Sequence, residues 1–207
     1  GYLITPHDVS PYVHKYPSRA NRHLPVIRQY REHLAEYLVQ GKDMYEALAQ
    51  MYNLAETYYE SDLVVQGDLQ ERQQIERLDW QEIKRIRRKN YTYMLSLISE
   101  LPELSPVFPA LQEDNLPLGL PVYVRGVSRD WLFDELGNSG IGLTIHWEEL
   151  LHDPRLNRNQ VAVDMASKIL TLVIDQRTSH KQMDYLVLSI IDLIKKHKMR
   201  REEGMFS

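Results

Sequence analysis

The stretch Gly140-Ile141-Gly142-Leu143-Thr144-Ile145-His146-Trp147 decides how the rest of this chain is read. Apolar residues alternate along it with small or polar ones, the period of an extended strand that turns one face to a core. Ile141, Leu143, Ile145 and Trp147 fall on one face; Gly142, Thr144 and His146 fall on the other. His146 is thereby expected to point away from the core, at a strand end, where functional side chains concentrate. On these residues alone two readings stand. His146 is either hydrogen-bonded to a neighbouring loop, or it lines a pocket and meets a substrate or cofactor.

Downstream, Asn159 to Lys168 has a helical pattern and leads into Ile169-Leu170-Thr171-Leu172-Val173-Ile174, which reads as a buried strand. Ser179 and Gln182 have the spacing of a capping box. The helix they open carries Met183, Leu186, Val187, Ile190, Ile191 and Ile194 on one side. Upstream, Leu120 to Val124 is β-prone, and Ser128 offers a cap for a helix through Trp131, Leu132 and Leu136 that Gly137 ends. The order is β-α-β-α-β-α. It predicts an α+β fold, a small three-stranded sheet with helices packed on one face.

Further upstream, Asp79 and Glu82 form a second capping box. Its helix carries Ile83, Ile86, Tyr91, Met94, Leu95 and Ile98 and ends near Leu101-Pro102. The stretch from Pro102 to Pro117, with Pro106 and Pro109, reads as an irregular connection. Residues 2–19 hold Pro6, Pro11 and Pro17 and are expected to be extended or turning. Asn21 to Gln40 and Asp43 to Tyr59 are amphipathic and predict a helical hairpin, with Gly41 as the stop between them. Residues 41–76 carry no readable function. The expected division is therefore an entry and hairpin over residues 1–77 and an α+β domain over residues 78–207.

Composition narrows the function classes. The chain has 207 residues, 25 Lys and Arg against 29 Asp and Glu, and a net charge of −4, which argues against a nucleic-acid binder. It has no cysteine, so no disulfide framework and no thiolate chemistry. No apolar run approaches the roughly 20 residues of a membrane span, and a cytoplasmic protein is expected. Gly137, Gly140 and Gly142 lack the spacing of a phosphate-binding loop, and the eight histidines fall in no metal-binding frame. The basic runs Lys84 to Lys89 and Lys195 to Arg201 read as solvated helix surface.

The succession Leu78-Asp79-Trp80-Gln81-Glu82-Ile83-Lys84-Arg85-Ile86-Arg87-Arg88-Lys89-Asn90-Tyr91, Leu120 to Val124, Arg129-Asp130, Gly140 to Trp147, Ile169 to Arg177 and Met183-Asp184-Tyr185 carries a resemblance. In this order the pieces resemble the C-terminal domain of DegT/DnrJ/StrS-type aminotransferases. Those are fold-type I, pyridoxal-phosphate enzymes acting mostly on keto-sugars. The resemblance spans about residues 75–195. It implies the C-terminal part of a transaminase for a keto-sugar, with or without a linked nucleotide, that closes one side of the cofactor cleft. It also implies pyridoxal phosphate as the cofactor of the parent protein. In that family the catalytic lysine precedes a stretch that looks like Gly1 to Thr5. The chain is thus expected to carry no catalytic residue, to bind no cofactor covalently and to be inactive alone. Its implied partners are an N-terminal large domain, a second subunit of a homodimer, the keto-sugar and an amino donor. His146 and Trp147 match the family's His-aromatic pair near the active site. Asn21 and Arg22 are similar to the segment that reaches a neighbouring subunit's cofactor phosphate. The competing expectation is a non-catalytic interaction or assembly module with no cofactor.

Overall fold

The computed structural model describes residue 8 and residues 22–41, 43–61, 69–155 and 158–204. The chain divides into two compact units, Gly1–Leu78 and Asp79–Ser207. In the first unit, α1 (His23–Gln40) and α2 (Tyr45–Ser61) pack as the expected helical hairpin, followed by α3 (Leu69–Glu76). Gly41 takes the left-handed conformation at φ 62° and its N–H donates to the Tyr37 carbonyl, which closes α1.

The second unit opens with α4 (Trp80–Ile98). Asp79 caps it by accepting the Glu82 N–H at 2.9 Å, as the capping-box spacing predicts. There follow β1 (Leu104–Pro106), β2 (Gly119–Val124), α5 (Arg129–Asn138), α6 (Glu149–His152), α7 (Gln160–Lys168), β3 (Ile169–Val173) and α8 (His180–Gly204). Ser128 accepts the Trp131 N–H to cap α5, and Asn159 accepts from Val161 and Ala162 to cap α7. Ser179 and Gln182 exchange hydrogen bonds at the start of α8.

The sheet is antiparallel with order β1-β2-β3. Leu120 lies opposite Leu172, Val122 opposite Leu170 and Leu104 opposite Val124, so these side chains share one face. That face is fully buried. It packs on Tyr91, Met94 and Ile98 of α4, on Leu132 and Leu136 of α5, and on Met183, Val187 and Ile190 of α8. The α+β class and the three-stranded sheet with helices on one face are as the sequence predicts.

Two strands differ from the sequence expectation. The stretch expected to be irregular contains β1, whose Pro106 sits on the sheet edge, where the missing N–H removes no ladder bond. The strand expected over Ile141 to Trp147 contracts to one bridge, between Thr144 and Thr171. Positive φ at Gly140 (79°) and at Trp147 (60°) turns the backbone at both ends of the stretch, which leaves room for a single rung. Among the described residues no helix is long and apolar enough to cross a membrane.

Candidate functional site

The second face of the sheet does not enter the core. Gly119, Pro121 and Thr171 project from it and floor an open cleft of about 700 Å³. One wall is the loop between β1 and β2, with Phe108, Leu116 and Leu118. The opposite rim is His146, Trp147 and Met165 of α7. Phe108 is 58% exposed, Leu118 81% and Trp147 57%, so the cleft is apolar and open.

Helix α4 holds the loop wall in place. Arg88 Nη1 donates to the Gln112 carbonyl at 2.7 Å and to the Asn115 carbonyl at 2.8 Å. Arg87 Nη1 reaches the Pro117 carbonyl, while its Nε donates to Gln176 Oε1 at 2.7 Å. Lys84 lies 3.7 Å from Asp114. The Tyr91 hydroxyl donates to the Phe108 carbonyl at 2.6 Å, and burial raises that phenol's pKa above its ordinary value. The run Lys84 to Lys89 is thus corrected in part. Arg85 is a surface residue paired with Glu82, but Arg87 and Arg88 are half-buried struts of the cleft wall. Loop carbonyls satisfy these guanidiniums, which removes them from any role as a phosphate-backbone reader.

The floor depends on a close approach. A Cβ on Gly119 would stand 2.3 Å from Thr171 Cγ2 and 3.2 Å from the Leu172 carbonyl oxygen. Only glycine leaves the cleft floor flat here. Thr171 is fixed from the other side, since its N–H donates to the Thr144 carbonyl at 3.0 Å. That bond carries the segment ending in His146 against the floor.

Of the residues singled out from the sequence, the structure brings His146 and Trp147 together on this rim. Their rings lie 5.7 Å apart at 45°. Ile141, Leu143 and Ile145 pack on the core as the alternation predicts. Trp147 does not follow them, because its φ of 60° breaks the two-residue period and turns the indole outward. Among the described residues no group hydrogen-bonds to the His146 ring, so the loop-bonded reading of this histidine finds no partner. Arg22 belongs to the first unit, where its guanidinium stacks 4.6 Å over the Tyr58 ring and donates to Ser61 Oγ. Asn21 lies outside the described residues.

Sequence reasoning missed Thr171, Asn115, Met165 and Phe108 as cleft residues. For Thr171 a signal exists: it is the single polar residue in Ile169 to Ile174, and its parity places it opposite Leu170 and Leu172.

The charge of the site bears on what it holds. Among its described lining residues the cleft has Asp114 and His146 but no lysine and no arginine. Pyridoxal phosphate requires an amine for its aldehyde and cations or clustered N–H donors for its phosphate. The residues lining this cleft supply neither, so this chain alone does not fit that cofactor. Nor does any group of His, Asp and Glu among the described residues have the arrangement of a metal site.

No family model matches the chain, and no curated protein matches it. Solved structures do resemble it, over about one third of their own length. One is described as a sugar aminotransferase, Spr1654 from Streptococcus pneumoniae, in its PMP form; it shares 17% identity over 56% of this chain and 32% of that one, with a TM-score of 0.48. A second is DesI in the presence of its TDP-sugar product, 14% identical over 57% of this chain and 35% of that one, with a TM-score of 0.47. A third is the E. coli GDP-4-keto-6-deoxy-D-mannose-3-dehydratase with bound hydrated PLP, 22% identical over 53% of this chain and 31% of that one, with a TM-score of 0.44. The solved structures this chain is similar to are therefore sugar aminotransferases and a related PLP-containing sugar dehydratase.

Proposed function

We propose that residues 78–207 form the small domain of a pyridoxal-phosphate aminotransferase for a keto-sugar, and that the cleft over Gly119, Pro121 and Thr171 faces the reacting centre. The observation that carries this reading is the placement of His146 and Trp147. The two residues quoted for the family resemblance stand side by side on the rim of an open apolar cleft, and the histidine ring has no described protein partner. In this reading His146 donates to or accepts from a polar atom of the bound sugar. Trp147 offers its exposed indole face to the apolar side of the ring. The lysine and the phosphate-binding groups come from a large domain that is not part of residues 1–207. The parent protein works as a homodimer in the cytoplasm, takes its amino group from an amino-acid donor, and contacts neither nucleic acid nor membrane. Arg22, with Asn21, serves the neighbouring subunit's cofactor phosphate.

Two measurements test this. The 207-residue chain is mixed with pyridoxal phosphate, reduced with borohydride and weighed by mass spectrometry. No stoichiometric adduct is expected; a single lysine modified in full would overturn the assignment of the lysine to another domain. In a protein that joins these residues to a lysine-bearing large domain, His146→Ala is expected to impair turnover or raise KM for the sugar while the circular dichroism stays unchanged. Unaltered kinetics would remove His146 from the site.

A further inference from the structure

The first unit carries a feature that the aminotransferase reading leaves unused. His23, Tyr30 and Tyr37 recur every seven residues along α1, and Tyr45, Tyr52 and Tyr59 recur every seven along α2. The helices run antiparallel, and the two rows meet. The His23 and Tyr59 rings lie 5.6 Å apart, and the Tyr30 and Tyr52 rings 5.9 Å apart. His23 is also held to α2, through a 2.9 Å hydrogen bond between its Nδ1 and the Ala55 carbonyl. Tyr37 and Tyr45 stand at the third position of each row. The result is an aromatic ladder along one face of the hairpin, its rungs about 10.5 Å apart at 1.5 Å of rise per residue.

This face is not covered. Tyr45 is 73% exposed, Tyr52 48% and Tyr59 69%, whereas the fully buried apolar side chains described in these two helices are Leu48 and Ala55. Helices of 18 and 17 residues draw most of their stability from tertiary packing, and two buried side chains supply little of it. Contiguous exposed aromatic surface of this kind marks an interaction site.

We infer that the ladder is a self-association surface, and that its occupant is the same face of a second copy of this chain. The argument is the symmetry of the ladder. Read in either chain direction the face shows the same three rungs at the same spacing, with the Tyr30–Tyr52 rung at its centre. A copy turned over onto it meets rung with rung and closes a four-helix bundle by an isologous contact. A different protein would have to bring the same seven-residue repeat on two helices. The area is of the right order. At about 150–250 Å² per aromatic side chain, the exposed parts of the three α2 tyrosines offer roughly 300–450 Å² per copy. That is near half of the ~800 Å² per partner in a standard interface. This inference concerns the helical hairpin alone and does not depend on the aminotransferase reading.

Sedimentation velocity of the full chain over a range of micromolar concentrations tests it. The expected species has twice the 24.4 kDa chain mass. Tyr52→Glu is expected to weaken self-association by about tenfold or more, as for a central aromatic anchor, with far-UV circular dichroism unchanged. Tyr52→Phe is expected to keep it, and so is Tyr185→Glu, a control at an exposed tyrosine of the other unit. If Tyr52→Glu unfolds the hairpin, Tyr45→Glu at the more exposed end rung asks the same question. A wild-type chain that stays monomeric throughout, or a dimer that the Tyr45 and Tyr52 variants leave intact, overturns the inference.

Discussion

Replacing Asn90 by alanine tests the account of how the second unit holds its shape. Asn90 is 3% exposed, and its Nδ2 donates to three backbone carbonyls: Ile174 at 3.3 Å, Asp175 at 3.0 Å and Thr178 at 3.0 Å. These carbonyls belong to the turn that carries the chain from β3 into α8. The amide has two hydrogens, so two of the three contacts are full hydrogen bonds. Alanine removes both donors and leaves buried or half-buried carbonyls unpaired. Each such group costs about 1–3 kcal/mol, and relaxation of the turn recovers part of it, so a loss of about 2–4 kcal/mol is expected. Urea unfolding followed by tryptophan fluorescence reads this unit selectively, because Trp80, Trp131 and Trp147 are the chain's three tryptophans and all lie within Asp79–Ser207. With a slope of about 1.5 kcal/mol per molar urea, the midpoint falls by roughly 1–3 M. Asn90→Asp sharpens the test. It puts a carboxylate oxygen against three carbonyls, so its folded-state pKa rises. Its stability is then lowest at neutral pH and recovers as pH falls and the carboxyl protonates. A midpoint change below about 0.3 M for Asn90→Ala, or an Asn90→Asp stability that does not recover in acid, refutes the reasoning.

The remaining predictions address the cleft and one ion pair. Gly119→Ala is expected to destabilise the second unit by about 1–3 kcal/mol through the contact with Thr171 Cγ2. Thr171→Ser, which removes that methyl, is expected to recover part of the loss in a double-mutant cycle; strict additivity would show that the clash is not the cause. Arg88→Ala frees the Gln112 and Asn115 carbonyls and is expected to lower stability by about 1–2 kcal/mol and speed amide exchange in residues 109–117. Unchanged exchange there would show that the loop does not need this strut. The Lys198 ammonium hydrogen-bonded to Glu103 holds its carboxyl below the ordinary glutamate value. A carboxylate depressed in the folded state adds stability above its unfolded pKa and loses it as pH falls through the folded one. Glu103→Gln should therefore cost about 0.5 kcal/mol at neutral pH, discounted because Lys198 is half exposed, and approach wild type in acid. A difference that does not vary with pH would remove the ion pair as its source.

What was legible in the sequence is what short spacing encodes. Asp79 with Glu82, Ser128 three residues before Trp131, and Ser179 with Gln182 mark helix starts because a cap and its N–H partner are neighbours in the chain. The apolar stripe of α8 and the parity of Leu120, Val122 and Val124 likewise mark the core face. The illegible parts depend on distant partners or on a broken period. β1 is three residues long and exists only because β2 pairs with it. Arg87 and Arg88 resemble any solvated charges until the carbonyls 24 to 30 residues away come within reach. Trp147 was assigned inward because alternation presumes an extended backbone, and one left-handed residue reverses the assignment. The cleft floor was hidden for a related reason. Ile169, Thr171 and Val173 look almost as apolar as the Leu170 and Leu172 that face the core.

The single rung between Thr144 and Thr171 separates two kinds of motion in adjacent amides of β3. Neighbouring N–H groups of a strand point to opposite sides, so the Leu170 and Leu172 amides are locked into the β2 ladder, while that of Thr171 holds the segment bearing His146. Hydrogen exchange at Thr171 thus times the opening of the cleft rim, and exchange at its two neighbours times the opening of the sheet. The rim hangs on one bond and the sheet on a full ladder, so the rim breathes without loosening the core, and the width of the cleft is set independently of the fold that carries it.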